Sequence, residues 1–410
     1  MTPEPLEDLL RSLAPQVLAA LLRRYGASQF DICEDAVQES LIAAVQQWPA
    51  SGRPSDPRAW LVTAARRRLI DQIRSESSRR ERERSEAGLL HPLADAPVSH
   101  ADDSVQVLQL CCHPALTVSA QITLTLRAVA GLTTAQIAHA YLLPEATVAQ
   151  RISRAKARIR ELGAAFPAPF GANDRLEAVL AVVYVMFTEG HTVTAGDSIH
   201  DVDLTDEAIH LARMLHAAVP ENGEVSGMLA LLLLTDARRP ARTTSAGRLV
   251  PLDEQNRSLW DRRLIDEGVA LLEETLPGGG AGPYALQAAI AALHDEAPST
   301  EATDWEQILV LYRLLERRTN NPVVTLNAAV AEAMVHGPDA GLASVDRLLA
   351  SGRPVDAQRA AAVRAHLLER NGHDGEAIAE YRAAARGTRS TPERDYLDAR
   401  IRRLEHDQRS

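Results

Sequence analysis

The sequence predicts an all-α protein, and three observations carry that prediction. Apolar residues recur at helical spacing through almost the whole chain, no series of alternating β-branched segments lies between turn signals, and Pro/Gly breaks recur along it. With 410 residues the chain is long enough for two or three domains. Its composition, 46% hydrophobic and 24% charged, excludes disorder as the main state. The longest bulky apolar run, Met228 to Leu234, is far shorter than the ~20 residues that cross a bilayer, so no membrane partner is expected. The opening MTPEPLEDLL lacks the basic-then-apolar order of a secretion signal, and Cys33, Cys111 and Cys112 cannot build a disulfide framework. A cytoplasmic location is the expectation.

The first helical unit is expected over 1–80. Leu9, Leu10, Leu13, Val17, Leu18, Leu21 and Leu22 mark its first helix. A second helix runs from near Ile32 to Trp48-Pro49, and the turn-rich SGRPSDPR (51–58) separates it from a basic helix beginning at Ala59. In that third helix Trp60, Leu61, Ala64 and Ile70 supply an inward stripe, and eight arginines fall between 66 and 84 against four acids. Arg66, Arg67, Arg68 and Arg74 crowd its remaining face, a composition suited to melted or single-stranded DNA, where arginine meets phosphates and stacks on bases.

Residues 81–103 lie in a charged, then Pro-rich stretch and read as a flexible linker. A compact helical unit follows over 104–165. Within it, Thr134–Ala140, a turn through 141–143, and a helix opened by Pro144 form a helix-turn-helix. Ile137, Val148 and Ile152 lock its two helices, turning Thr147, Gln150, Arg151 and Arg154 outward toward base edges and phosphates, with Lys156, Arg158 and Arg160 extending the positive face along the backbone.

Residues 171–410 are expected to be a helical extension broken at Pro240, 277–283, Pro298, Asn321-Pro322 and 352–354. Near its end Ala331, Met334, Gly341, Ala343 and Ala350 recur 34 residues later as Ala365, Leu368, Gly375, Ala377 and Ala384, a tetratricopeptide-like period. Charge divides the chain the same way. Residues 1–170 hold 19 Lys/Arg against 18 Asp/Glu, whereas the remainder holds 25 against 37, a balance of −12. Lys156 is the only lysine in the chain.

Other constellations point away from catalysis and cofactors. Cys111-Cys112-His113 has no CxxC partner and reads as a packed helix rather than a metal site. The glycines at 278–280 and 282 lack the Lys-Ser/Thr of a phosphate loop, and His191, His200, His210 and His216 lack metal-ligand spacing. No nucleophile or acid/base pair stands out, so neither an enzyme nor a cofactor is expected.

DICEDAVQESLIAAVQQWP (31–49), RAWLVTAARRRLIDQIR (58–74) and 119–160 resemble, in this order, the polymerase-binding helix, the −10 recognition segment and the −35-reading region 4 of extracytoplasmic-function sigma factors. CCHPAL, EQNRSLWDRRLI, GPYALQAAIAALH and PVVTLNAAVAEAM resemble the subfamily with a long tetratricopeptide-like C-terminal extension. The resemblance implies that Asp35, Gln38, Glu39 and Leu41 dock the polymerase clamp, that 60–74 reads the −10 element, and that the partners are bacterial RNA polymerase core, through its β′ clamp and β flap, and promoter DNA. It further implies that the extension is a regulatory or docking module, acting on a regulatory protein or on the chain's own N-terminal half. Two departures stand out: Arg67 replaces the commoner asparagine, so the preferred −10 base does not carry over, and in YVMFTEGH Thr188 and His191 replace the usual Asn and Tyr. The rival reading is a helix-turn-helix regulator with a ligand-sensing tetratricopeptide half and no sigma activity, which needs no polymerase-docking helix.

Overall fold

The computed structural model describes residues 6–83, 104–141, 143–163, 176–191, 195–196, 202–245, 247–276 and 281–408. Helices dominate them. Extended structure is confined to a two-residue parallel pairing of β1 (Ala195–Gly196) with β2 (Arg389–Ser390) and an isolated bridge between Thr243 and Leu249. Residues 1–183 and 184–410 form two compact units. Among the described residues no helix is long and apolar enough to cross a membrane.

The first unit begins with α1 (Leu6–Tyr25), α2 (Phe30–Ser51) and α3 (Pro57–Glu83). Leu10, Leu13, Val17, Leu18, Leu21 and Leu22 of α1 are buried. Small residues on α2, Ala36, Ala43 and Ala44, let its neighbours approach, and Trp48 meets Trp60 of α3 edge-on with ring centroids 5.3 Å apart. Gly52 stops α2 at φ +84°, where an L side chain would be strained. The inward stripe of α3 differs from the expected one: Leu61, Val62, Ala65 and Leu69 are buried, while Trp60, Ala64 and Ile70 are only half-buried. That shift follows from Trp60 sitting at the helix start against Trp48, which sets the rotation of the helix. Helix α3 also continues to Glu83, into the segment read as linker; 84–103 lie outside the described residues.

Helices α4 (Ser104–Cys111), α5 (Val118–Ala128), α6 (Thr134–Ala140) and α7 (Glu145–Glu161) complete the described part of this module. All eight residues of α4 are buried, and α4 packs on α1 and α5. Burial pushes the Cys33 and Cys112 thiols up to about 12 and Cys111 well above its ordinary value, leaving inert thiols.

The second unit takes in the end of α8 (Leu176–His191), then α9 (Val202–Ala218), α10 (Gly223–Ala237), α11 (Arg262–Thr275), α12 (Pro283–Glu296) and α13 (Trp305–Thr319). They are followed by α14 (Pro322–His336), α15 (Pro338–Ala350), α16 (Ala357–Arg370), α17 (Asp374–Gly387) and α18 (Thr391–Asp407). Helix α10, buried from Val225 to Leu234, packs against α9, α11 and α12. Gly227 permits the α10–α12 approach, since a Cβ there would lie 2.6 Å from the Ala285 nitrogen. Glu224 caps α12 by accepting from the Tyr284 and Ala285 amides at 3.2 and 3.4 Å.

The motif NRSLWD is structural for the same reason. Asn256 and Asp261 cap short and long helices, Trp260 lies beneath the Arg257 and Arg238 guanidinium groups at 4.7 and 5.7 Å, and Arg257 donates to the Ala297 carbonyl at 2.7 Å. Arg238 in turn pairs with the fully buried Asp295 at 2.5 Å. Of the histidines, His191 stacks on Phe187 and His216 meets the Ser226 hydroxyl at 3.2 Å; His200 and the glycines at 278–280 lie outside the described residues.

The 34-residue repeat holds in one helix of each pair and slips in the other. Leu326, Ala331 and Ala333 of α14 and their counterparts Ala360, Ala365 and Leu367 of α16 are all buried. In the second helices, however, Ala343 and Ala350 are exposed, and the buried set Gly341, Val345 and Leu348 matches Ala377, Tyr381 and Ala384 at a spacing of 36. One residue, Gly337, joins α14 to α15, whereas three, 371–373, join α16 to α17, and these two extra residues displace the register.

Candidate functional site

Helix α2 presents two faces. One is buried against the unit; the other carries Asp35, Glu39, Gln46 and the outward apolar residues Ile42 and Val45, 57% and 50% exposed, with Gln38 and Leu41 half-buried at its edges. Ile42 and Val45 were not among the residues singled out from the sequence. Their signal was an apolar pair on the side of α2 opposite Ala36, Val37, Ala43 and Ala44. An apolar strip rimmed by carboxylates is a surface suited to a protein partner.

The acidic edge of this helix is already engaged. Glu34, only 1% exposed, meets Arg127 Nε at 2.9 Å and the Lys156 ammonium; Asp35 meets Lys156 at 2.9 Å; and Asp31 meets Arg160 at 2.9 Å. Gln38 donates to the Arg127 carbonyl at 3.3 Å. Four side chains along α2 therefore contact the last turn of α5 and the second half of α7. Burial pulls the Lys156 ammonium down, but Glu34 and then Asp35 outweigh it and hold it above the ordinary lysine value. A carboxylate as buried as Glu34 is tolerable because two cations face it.

Lys156 therefore does not extend the outward positive face. It lies four residues after Ile152 and beside Ala155, within the buried stripe Val148, Ile152, Ala155 and Ile159, which turns it toward α2. Arg158 is exposed and pairs with Glu161 at 3.3 Å along its own helix, while Arg160 is drawn to Asp31. Glu34, Arg127 and Asp31 went unnoticed in the sequence. The hint was Lys156 itself, the single ammonium among the chain's 43 arginines.

The remaining helix-turn-helix side chains lie on the opposite side of α7. Thr147, Gln150 and Arg154 are exposed and Arg151 is half-buried, over an interior formed by Ile137, Val148 and Ile152. Pro144 takes the position just before the helix, with extended backbone, so Glu145 is the first helical residue. On α3, Arg67 is exposed, Arg66 is half-buried, and Arg68 reaches Glu39 at 3.1 Å. Arg74 lies in α3, its side chain outside the described residues. The structure thus brings Glu39 together with Arg68, and Asp35 with Lys156, while Thr147, Gln150 and Arg154 form a separate cluster. Among the described residues no group of three or more His, Cys, Asp or Glu side chains is arranged to hold a metal ion.

Residues 9–79, spanning α1 to α3, match the Sigma-70 region 2 family, and residues 175–276 match DUF6596, a family of unknown function. The first of these matches supports a sigma-70 family sigma factor. It is 42% identical over 350 residues to the uncharacterized protein R00370 of Rhizobium meliloti (strain 1021), covering 83% of this chain and 82% of that one. It is 35% identical over 107 residues to the ECF RNA polymerase sigma factor SigK of Mycobacterium sp. (strain KMS), covering 25% of this chain and half of SigK. No solved structure matches it.

Proposed function

We propose that the chain is an alternative sigma factor of the extracytoplasmic-function group, which directs RNA polymerase core to promoters through a −10 reader on α3 and a −35 reader on α6–α7. Membership of the sigma-70 family implies core polymerase and promoter DNA as partners and a role in transcription initiation. The observation that carries the reading is the region 2 match over 9–79, within which α2 offers an outward strip of Glu39, Ile42 and Val45 for a protein partner. The rival helix-turn-helix regulator accounts for α6–α7 but leaves the region 2 match without a purpose.

In the proposed mechanism, Asp35, Gln38, Glu39 and Leu41 hold the polymerase clamp, and Trp60, Arg66, Arg67, Arg68 and Arg74 face the opened −10 strand. Thr147, Gln150, Arg151 and Arg154 meet the −35 groove, with Arg158 at its backbone. The region 171–410 acts as a fused regulatory module. Run-off transcription with purified core polymerase on a promoter library tests the reading: sequence-specific transcripts appear only when the chain is added, and transcripts no different from core alone would overturn it. Within that assay, Arg154→Ala lowers −35 discrimination by about 1–3 kcal/mol if it reads a base and weakens all promoters alike if it meets a phosphate. Deleting 171–410 abolishes promoter-specific transcription if the extension supports the active arrangement and raises it if the extension masks; loss is the expected result.

A further inference from the structure

We propose that the groove between α13 and α15 binds a monocarboxylate with a short apolar chain, its carboxylate held by Arg347 and Arg353. The proposal concerns the second unit alone and does not rest on the sigma reading.

Helices α13 and α15 both pack on α14, and a cavity of about 370 Å³ lies between them. Its floor is small, made by Thr325, Ala328 and Ala329 of α14, and its apolar flanks are Leu309 and Leu348. The 34-residue period, which the first helices of the pairs keep, shows why this gap stays open. Thr325 and Ala329 stand where α16 has Arg359 and Val363, and Val330 stands where α16 has Arg364. Arg364 closes the neighbouring gap by pairing with Asp346 of α15 at 3.1 Å and with Glu380 of α17 at 3.0 Å. Between α13 and α15 the corresponding link is looser: Glu332 of α14 accepts from the Ser344 hydroxyl and stands 3.9 Å from Arg313.

Arg313, Arg347 and Arg353 line this cavity. Arg347 donates to the Ser344 hydroxyl at 2.6 Å and Arg353 to the Asn320 carbonyl at 2.5 Å, both neutral acceptors. Neither has an ion pair among the described residues. A guanidinium carries five N–H donors in a rigid fork, so one bond to a neutral oxygen fixes its plane while leaving charge and donors for a carboxylate.

Charge selects the ligand. Against the three arginines the cavity sets Glu316 and Glu332, a balance of +1, in a half of the chain whose balance is −12. One negative charge satisfies it. A phosphate group, close to two negative charges at neutral pH, would bring an excess toward two glutamates. The small floor and the leucine flanks then accept a branched hydrocarbon chain, in a volume at the lower end of small-ligand cavities.

Such a carboxylate can belong to a small acid or to the end of a polypeptide. The test titrates the full chain with N-acetyl-leucine and with a glycine-serine peptide ending in leucine, each as the acid and as its C-terminal amide, by calorimetry and saturation-transfer NMR. At least one acid should bind at millimolar concentration or below, and its amide roughly tenfold more weakly or worse, because the amide lacks the charge. Arg347→Gln and Arg353→Gln should each weaken the acid roughly tenfold to a hundredfold, while Arg364→Gln in the neighbouring gap leaves binding unchanged. Binding of N-acetyl-leucine alone assigns the groove to a small acid, and tighter binding of the peptide assigns it to a polypeptide terminus; both support the proposal. Neither acid binding at millimolar concentration, amides binding as well as acids, glutamine variants at 347 and 353 binding as the wild type does, or an equal loss in Arg364→Gln would overturn it, and none of these results bears on polymerase binding.

Discussion

Glu34 and Asp295 are both carboxylates removed from water and both answered by arginine, yet they join different kinds of neighbour. Asp295 sits at the end of α12 against Arg238, which also donates to the Ala291 carbonyl one turn back and lies over Trp260. All of these groups belong to adjoining elements of one helical layer. Glu34 joins α2 to Arg127 and Lys156, which are more than 90 residues away and belong to another module. Asp295 thus meets one arginine in its ion pair, whereas Glu34 is shared between two cations from two helices.

The largest expected effect tests that difference. Arg238→Met leaves the fully buried Asp295 without the cation it pairs with and should destabilise the second unit by about 3–5 kcal/mol, read by denaturant unfolding with hydrogen exchange on α10 and α12. Lys156→Ala should cost only about 1–2 kcal/mol, because Glu34 keeps Arg127 at 2.9 Å. Equal losses at the two sites would erase the distinction.

A smaller wild-type effect comes from pH. Burial holds the Asp295 carboxyl up at about 6 despite Arg238, and burial beside Arg238 and Arg257 drives the neighbouring His294 down to about 3. Between these values the folded state binds the Asp295 proton more readily than the unfolded chain does, so that stabilisation is lost as pH rises from about 4 to about 6. His294 works oppositely: it stays neutral while the unfolded imidazole is protonated, so stability is lost as pH falls from about 6.5 toward 3. The two slopes offset each other in the wild type. Asp295→Asn should therefore leave stability rising with pH across 4 to 6, and His294→Gln should leave it falling; identical profiles for both would remove the account. The smallest effect is expected at Arg213, exposed and paired with Glu267, where Arg213→Ala should change stability by under about 1 kcal/mol and vanish in high salt.

Much of this architecture was legible from apolar spacing. Helix α6 falls where Thr134–Ala140 was expected, and Ile137, Val148 and Ile152 are buried as their period requires. What spacing could not reveal was where a helix meets a distant partner. Lys156 reads as one more cation on a basic helix until Glu34 stands opposite it, 122 positions earlier in the chain. Trp60 looked like the start of an inward stripe because aromatic residues usually are; it meets Trp48 and stays half-buried, while the stripe runs through Leu61, Val62, Ala65 and Leu69. The period slipped in the second helix of the repeat for a third reason, since two extra residues in one turn shift every later position while leaving the helical pattern unchanged.

The pairing of β1 with β2 is only two residues long, yet it joins Ala195 and Gly196 to Arg389 and Ser390, and Glu254 reaches Arg400 at 3.2 Å across 146 positions. An open row of helices, each touching only its neighbours, frays from its termini and loses structure stepwise. Here β2, just ahead of the last helix, pairs with β1 near the start of the unit, and Arg400 of that helix meets Glu254 between α10 and α11, so the described row is tied across its length as well as between neighbours. The second unit should then melt as one cooperative body, with amides at 195–196 and 389–390 exchanging at the same rate as one another, and severing either tie should convert a single transition into a graded one.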